Sequence, residues 1–381
     1  MTDAVIVAAR RTPTGKRNGV LSGIHPADLA ALVLEDLVST TGIDPAVIDD
    51  VVWGCVTQAG EQTGDIGRTA ALSAGYPETV TGVTVDRQCG SSQQAVHFAA
   101  AGLIAGQYDV VVAGGVESMS RNPMGSSSQG KNPYGEKFQA RYDGVKPNQI
   151  VGAEMIAKKW GFTRQQVDEF SLESHARAAA ATDSGAFESQ IVPVQTEHGL
   201  ITADEGIRRG GTVEGLGKLN LVLEGDGVIT AGNSSQISDG SAALLMMTSE
   251  KAKELGLTPL VRVHTAVLAG SDPIIMLTAP IPATQKALAK SGLALSDIGA
   301  FEINEAFAPV PMAWMHDLGG DHAKLNPNGG AIAMGHPLGG SGARLSTTLI
   351  HHMVNNGIKY GLQSMCEGGG QANATIYELV D

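Results

Sequence analysis

Apolar residues fall into two spacings along this chain. Continuous runs such as Ala4-Val5-Ile6-Val7-Ala8-Ala9 and Val110-Val111-Val112-Ala113 read as buried strands, the second closed by the turn Gly114-Gly115. Ala27 to Thr40 and Ser92 to Ile104 instead place apolar residues at helical intervals, with Gly42 and Gly106 just past their ends as stop signals. Glu154 to Ala181 reads as strongly helical. Helical stretches alternate with β-branched runs ended by glycines, which predicts an α/β architecture.

The pattern repeats coarsely. Asp44 to Gly54 is echoed by Leu295 to Asn304, in each case a short acidic turn leading into a strand. Thr84-Val85-Asp86-Arg87-Gln88-Cys89-Gly90-Ser91-Ser92 parallels Ala331-Ile332-Ala333-Met334-Gly335-His336-Pro337-Leu338-Gly339-Gly340, two small glycine-bearing turns before helices. After each helix comes a strand ending in glycines, Val110 to Gly115 and Leu362 to Gly370. Cys89 and His336 thus occupy equivalent places in two similar units. Packing about a pseudo-twofold axis would let them face one another. The stretch Ser118 to Ser238 lies outside the repeat, and an insertion of that size usually carries a lid or binding loops.

Composition narrows the class. A chain of 381 residues exceeds one hydrophobic core, so two or three packed units are expected. No apolar run approaches the roughly 20 residues that span a bilayer, and no basic stretch or cleavage signal precedes the first strand, so a cytoplasmic protein is expected. A net charge of −13, with Lys and Arg dispersed, argues against nucleic acid as the main ligand. Arg121, Lys131, Lys137, Arg141 and Lys146 make one segment locally basic, which fits either a solvated loop or attraction of a phosphate-bearing ligand. Three cysteines without a CxxC pair fit a reducing compartment. No metal-ligand spacing is present, and the adjacent His351-His352 read as surface residues.

Candidate chemistry collects in the glycine-rich turns. Cys89 stands before a helix, where free N–H groups and the helix dipole favour thiolate. His336, set between Gly335 and Pro337, is a rigidly held imidazole able to act as a base. Cys366 precedes Gly368-Gly369-Gly370, whose backbone donors can form an oxyanion hole. Asn304, in Asn304-Glu305-Ala306-Phe307, could hold a water or a carbonyl.

Together these elements resemble the thiolase family over essentially the whole chain, from Arg10-Arg11-Thr12-Pro13 to Cys366-Glu367-Gly368-Gly369-Gly370. Arg87-Gln88-Cys89, Asn304-Glu305-Ala306-Phe307-Ala308, Asn328 to Ala333, Gly335-His336-Pro337 and Ser341-Gly342-Ala343-Arg344 occur in the family's order and spacing. The resemblance implies the thiolase fold: two βαβαβαββ halves related by a pseudo-twofold in five αβαβα layers, plus an inserted loop domain. The halves would be residues 1–118 with about 239–250, and residues 251–381, with the insertion at 119–238. It implies a ping-pong acyl transfer in which Cys89, activated by His336, attacks a 3-oxoacyl-CoA, and Cys366 is the acid and base. The thioester oxyanion would be held by His336 and a water on Asn304, and the tetrahedral intermediate by the N–H groups of Cys89 and Gly368. Arg208 would lie against the coenzyme A adenine, Ser235 near the pantetheine arm, and Met276 in the acyl pocket, although Met276 also fits ordinary core. Coenzyme A and acyl-CoA would be substrates, with no permanently bound cofactor. A homodimer or homotetramer built across the N-terminal halves is implied, with 124–134 as a candidate contact.

Departures from the family pattern fall around the substrate. Gly90-Ser91-Ser92-Gln93-Gln94 follows Cys89 where a Ser-Gly type turn is common, Gln236 and Ala372 stand where glycine is frequent, and Gln149-Ile150-Val151-Gly152 replaces the His-Met-Gly-Thr pattern of acetoacetyl-CoA-specific members. A degradative enzyme with a wider acyl pocket is therefore expected, in preference to an acetoacetyl-CoA-specific biosynthetic one. A decarboxylating ketoacyl synthase needs no second thiol, so Cys366 disfavours it. A non-catalytic acyl-CoA or lipid carrier would have no physical reason to keep all four reactive side chains. A nicotinamide enzyme is disfavoured because no complete GxGxxG follows a strand.

Overall fold

The computed structural model describes residues 2–380, so Met1 and Asp381, the outermost residues of the expected halves, lie outside it. The first half contains β1 (Val5–Arg11), β2 (Gly15–Lys16), α1 (Pro26–Thr41), β3 (Asp50–Gly54), α2 (Ile66–Ser73), β4 (Thr81–Val85), α3 (Ser91–Ala105) and β5 (Val110–Ser118). Between Ser118 and Ser238 lie α4 (Glu136–Arg141), α5 (Gln149–Trp160), α6 (Arg164–Asp183), the hairpin β6 (Val194–Thr196) and β7 (Gly199–Ile201), and α7 (Val213–Gly217). The chain then returns through β8 (Ser238–Met247) and α8 (Ser249–Glu254). The second half comprises β9 (Val261–Gly270), α9 (Pro280–Ser291), β10 (Ala300–Ile303), α10 (Pro309–Leu318), α11 (Ala331–Met334), α12 (Leu338–Asn356), β11 (Tyr360–Glu367) and β12 (Gln371–Leu379).

The long sheet runs in the order β4-β3-β5-β8-β1-β9-β12-β11-β10. Reading outward from the β1–β9 junction, β8, β5 and β3 match β12, β11 and β10 in both order and direction. The first neighbour pairs antiparallel on each side, and the last pairs parallel with the one inside it. The junction itself is brief, pairing only Val5 with Arg262 and Ile6 with Val261.

Strands β1, β3, β5, β8, β10, β11 and β12 are buried on both faces over most of their length, which is why they read as apolar runs. Alternation splits them: Val110, Val112, Leu245 and Trp53 pack under α1 and α2, whereas Val111, Ala113, Leu244 and Val52 face inward. Inside, they meet α3 (Ala95, Val96, Leu103) and α12 (Ala343, Leu349, Ile350) together with Ala300 and Tyr377 of the second half. α9 and α10 cover the other outer face through Ala283, Ala287 and Trp314. The result is the five-layer αβαβα thiolase fold. Close approach at its centre depends on absent side chains, since a Cβ on Gly342 would lie 2.2 Å from the backbone N of Gln93 on α3.

Glu154 to Ala181 is helical as expected, in two helices. Gly161, at φ +73°, ends α5, and Thr163 with Gln166 forms a capping box that starts α6. His351 and His352 are half-buried rather than on the surface. His351 bridges the backbone carbonyl of Ala9 and the hydroxyl of Ser189, both at 3.0 Å.

Candidate active site

Four chain turns deliver the candidate residues. Cys89 sits immediately before Gly90, the cap of α3, and follows Gln88, a non-glycine residue in the left-handed region at φ +49°. The Asp86 carboxylate accepts the Gln88 N–H at 2.7 Å and so helps to hold that costly conformation. On the matching turn, Gly335 takes φ +95°, and a Cβ there would lie 2.3 Å from the Ser238 hydroxyl, so only glycine brings His336 into place. β10 ends at Ile303, just before Asn304. β11 carries Cys366 next to its last residue, Glu367.

The side chains converge. The Asn304 amide nitrogen lies 3.4 Å from His336 Nε2 and 4.0 Å from Cys366 Sγ. Cys89 lies close enough to Cys366 and to the Gly368 N–H for the first to raise and the second to lower the cost of charging its sulfur. All four reactive residues are buried. Asn304 Oδ1 is buried with no partner, which leaves it free for a water.

The imidazole tautomer follows from its neighbour. The Ser341 hydroxyl donates its one proton to the Pro337 carbonyl at 2.8 Å, so at 2.5 Å from His336 Nδ1 its oxygen accepts the Nδ1 proton. Nε2 is left with its lone pair toward the Asn304 amide, from which it can accept. Burial, reinforced by Arg344, holds His336 far below the ordinary imidazole range, at about 3.

Burial disfavours the thiolate form of both sulfurs. Burial pushes Cys89 up, with Cys366 and Glu367 acting in the same direction against the Cys89 and Gly368 N–H groups. Burial likewise pushes Cys366 up to about 12, opposed by the Asn304 amide. The N–H groups beside Cys89 favour the thiolate, as the helix start suggested, and desolvation acts against them.

Residues that sequence reasoning assigned no role hold the frame. The buried Glu117 carboxylate accepts four donors: the N–H groups of Val56 (2.9 Å), Thr57 (3.0 Å) and Gly339 (2.8 Å) and the Gln62 amide (2.8 Å). It thereby ties β5 to the first turn of α12. Glu305 accepts from Ser174, Asn326 and the Ile332 N–H, anchoring the α6 side of the insertion to the stretch before His336. Glutamates inside apolar runs were the only available signal.

The expected coenzyme A contacts scatter more widely. Met276 is buried, at φ +60°, against Phe307, Leu277 and Cys366. Ser235 donates its N–H to the Ala306 carbonyl at 2.9 Å, on the loop after Asn304. Arg208 is exposed and lines a cavity with His175, Leu216, Gly232 and Gln236. Among the described residues, no group of three or more His, Cys, Asp or Glu could hold a metal ion, and no helix is long and apolar enough to cross a membrane.

Residues 4–250 match the family described as thiolase, N-terminal domain, and residues 257–379 match thiolase, C-terminal domain. The chain belongs to the thiolase family, whose members are acyltransferases acting on coenzyme A thioesters. It is 49% identical over 386 residues to the steroid 3-ketoacyl-CoA thiolase FadA6 of Mycobacterium tuberculosis, covering 99% of this chain and 94% of that one. It is 44% identical to the 3-ketoacyl-CoA thiolase of Photobacterium profundum over the full length of both. Its fold matches the crystal structure of the Bacillus anthracis acetyl-CoA acetyltransferase with a TM-score of 0.91, at 38% identity, covering 100% and 99% of the two chains.

Proposed function

We propose that this thiolase cleaves 3-oxoacyl-CoA esters longer or bulkier than acetoacetyl-CoA in the degradative direction, releasing acetyl-CoA and a shortened acyl-CoA. The observation that carries the reading is the meeting of two buried thiols with Asn304, His336 and the Gly368 N–H. In this reading His336 Nε2 takes the Cys89 proton as the sulfur attacks the keto carbon, and the N–H groups of Cys89 and Gly368 receive the oxyanion. The bond between the α- and keto carbons breaks, the acyl group stays on Cys89, and Cys366 protonates the departing acetyl-CoA carbanion, whose enolate oxygen faces His336 and a water on Asn304. The Cys366 thiolate then takes the proton of an incoming coenzyme A thiol, whose sulfur attacks the acyl carbonyl; the Cys89 thiolate leaves and recovers its proton from His336. Run backwards, the same steps make a Claisen condensation.

The coenzyme A assignments to Arg208, Ser235 and Met276 belong to this reading, as do an insertion spanning 119–238 and the absence of any resident cofactor. A bulkier acyl group has support from a cavity of about 400 Å³ between α5 and 223–228. Its lining residues Phe162 and Val228 also pack on the cluster containing Met276 and Cys366. The relatives named for 3-ketoacyl-CoA and steroid 3-ketoacyl-CoA thiolysis point the same way. The protein would work in the cytoplasm as a homodimer or homotetramer, self-association being favoured by the open edge of β4. Thiolysis rates across chain lengths and ring-bearing esters test the reading. A higher kcat/KM for acetoacetyl-CoA than for all longer esters would sink it.

A further inference from the structure

Gln236 departs from the glycine common at its place, and its side chain does something a glycine cannot. Its amide nitrogen lies 3.0 Å from the Gly206 carbonyl, 2.9 Å from that of Ile332 and 3.1 Å from that of Ala333. Three carbonyl oxygens around one atom fix it as the donor end of the amide. Ile332 and Ala333 belong to α11, the single turn leading into Gly335-His336, whose late carbonyls lack partners within the helix. Gly206 begins the segment Gly206-Ile207-Arg208. The backbone of Gln236 completes the link, because its carbonyl accepts the His336 N–H at 3.3 Å and the Ser238 hydroxyl at 2.8 Å. The Ser238 oxygen in turn accepts the same His336 N–H at 3.1 Å. Room for the amide exists only because residue 206 lacks a side chain, since a Cβ there would lie 2.7 Å from Gln236 Oε1.

We infer that Gln236 is a positioning residue that ties the Arg208 loop to the turn presenting His336, so that engagement of the coenzyme A nucleotide and placement of the imidazole are one mechanical unit. The inference rests on the thiolase reading and on Arg208 as a nucleotide contact. With the nucleotide seated, the loop carbonyl of Gly206, the α11 carbonyls and His336 share one donor and one acceptor residue. Without the amide, loop and turn keep only the packing of Ile207 on the cluster that holds Ala333 and Met334.

The test measures thiolysis of one long 3-oxoacyl-CoA with coenzyme A or with pantetheine, which lacks the nucleotide, as the acceptor thiol. Gln236→Gly removes the tie, and Gln236→Glu sets a carboxylate against three carbonyls. Gly206→Ala crowds the amide from the opposite side and serves if the others fold poorly. We expect kcat to fall about tenfold with either thiol, the scale of one lost buried hydrogen bond. The KM for coenzyme A should rise several-fold while that for pantetheine stays put. A fall in kcat with KM for coenzyme A unchanged, an equal rise in KM for both thiols, or wild-type kinetics in all three variants overturns the inference. Wild-type protein that releases no acetyl-CoA overturns the thiolase reading itself, and the inference with it.

Discussion

The outer edge of the first half is a five-residue strand, β4, paired along one side with β3 and, among the described residues, with no strand along the other. The same place in the second half holds one bridge, from Phe301 to Leu325. The helices differ in the same sense. α12 is buried from Leu338 to Ile350, whereas α3 leaves Phe98 at 49% and Ile104 at 53% exposure, and β4 leaves Val83 at 43%. A duplicated frame has been specialised by its surroundings: the half bearing Cys89 keeps an unfinished, apolar edge, and the half bearing His336 is closed around its base. An open edge with exposed apolar side chains needs covering. Rigid burial suits a residue whose tautomer must not change.

The largest effects should come from removing the sulfurs, since each half contributes one. Cys89→Ala is expected to lower kcat by at least about 10³-fold through loss of the nucleophile, and Cys366→Ala by about 10²–10⁴-fold through loss of general acid and base. If steady-state thiolysis survives Cys89→Ala within tenfold of wild type, the proposed division between the halves fails.

Next comes the closed half. Ser341→Ala should cost about tenfold in kcat, because the Nδ1 proton loses its acceptor and the imidazole its fixed tautomer. Rescue by Ser341→Thr, whose hydroxyl can accept the same proton, separates this role from packing.

Burial of neutral histidines also shows in stability. His336 and His97 are held at about 3 and His175 at about 4, chiefly by burial. Their folded values lie below the ordinary 6.5, so the unfolded chain binds more protons between those limits. Their contribution is complete above about pH 6.5 and is lost as pH falls toward 3. Thermal melts at pH 7.5 and pH 5 should show a lower Tm at pH 5. His336→Asn should reduce the gap, and an equal gap in that variant would remove His336 from the account.

The smallest effect on rate is expected at the open edge. Val83→Asp in β4 should weaken self-association at least about tenfold, read by light scattering across concentrations, while per-site kcat changes less than in the variants above. Unchanged mass at every concentration would mean that this edge is not the interface.

Much of this was legible in the chain because it is local. Glycine-rich turns before helices, repeated in two units, pointed to Cys89 and His336, and the strand after each helix pointed to the ends of β5 and β11. What escaped is non-local. Glu117 reaches Gly339 across 222 positions and Ser238 reaches His336 across 98, and no window of sequence contains both partners. The burial of Cys89 escaped for the same reason, since helix-end donors are a property of neighbours in sequence and desolvation is a property of the packed whole. The break between α5 and α6 was different in kind. Its local signals, Gly161 and the Thr163 and Gln166 pair, were present but lay between strong helix formers.

β8 fills the gap between β1 and β5, yet Ser238 lies about 120 residues beyond Ser118 in the chain. At about 5–20 residues per second, a ribosome needs roughly 6–24 s to deliver it. Throughout that interval the nascent first half has two bare strand flanks and no central strand, so its completion during synthesis waits on the insertion that interrupts it.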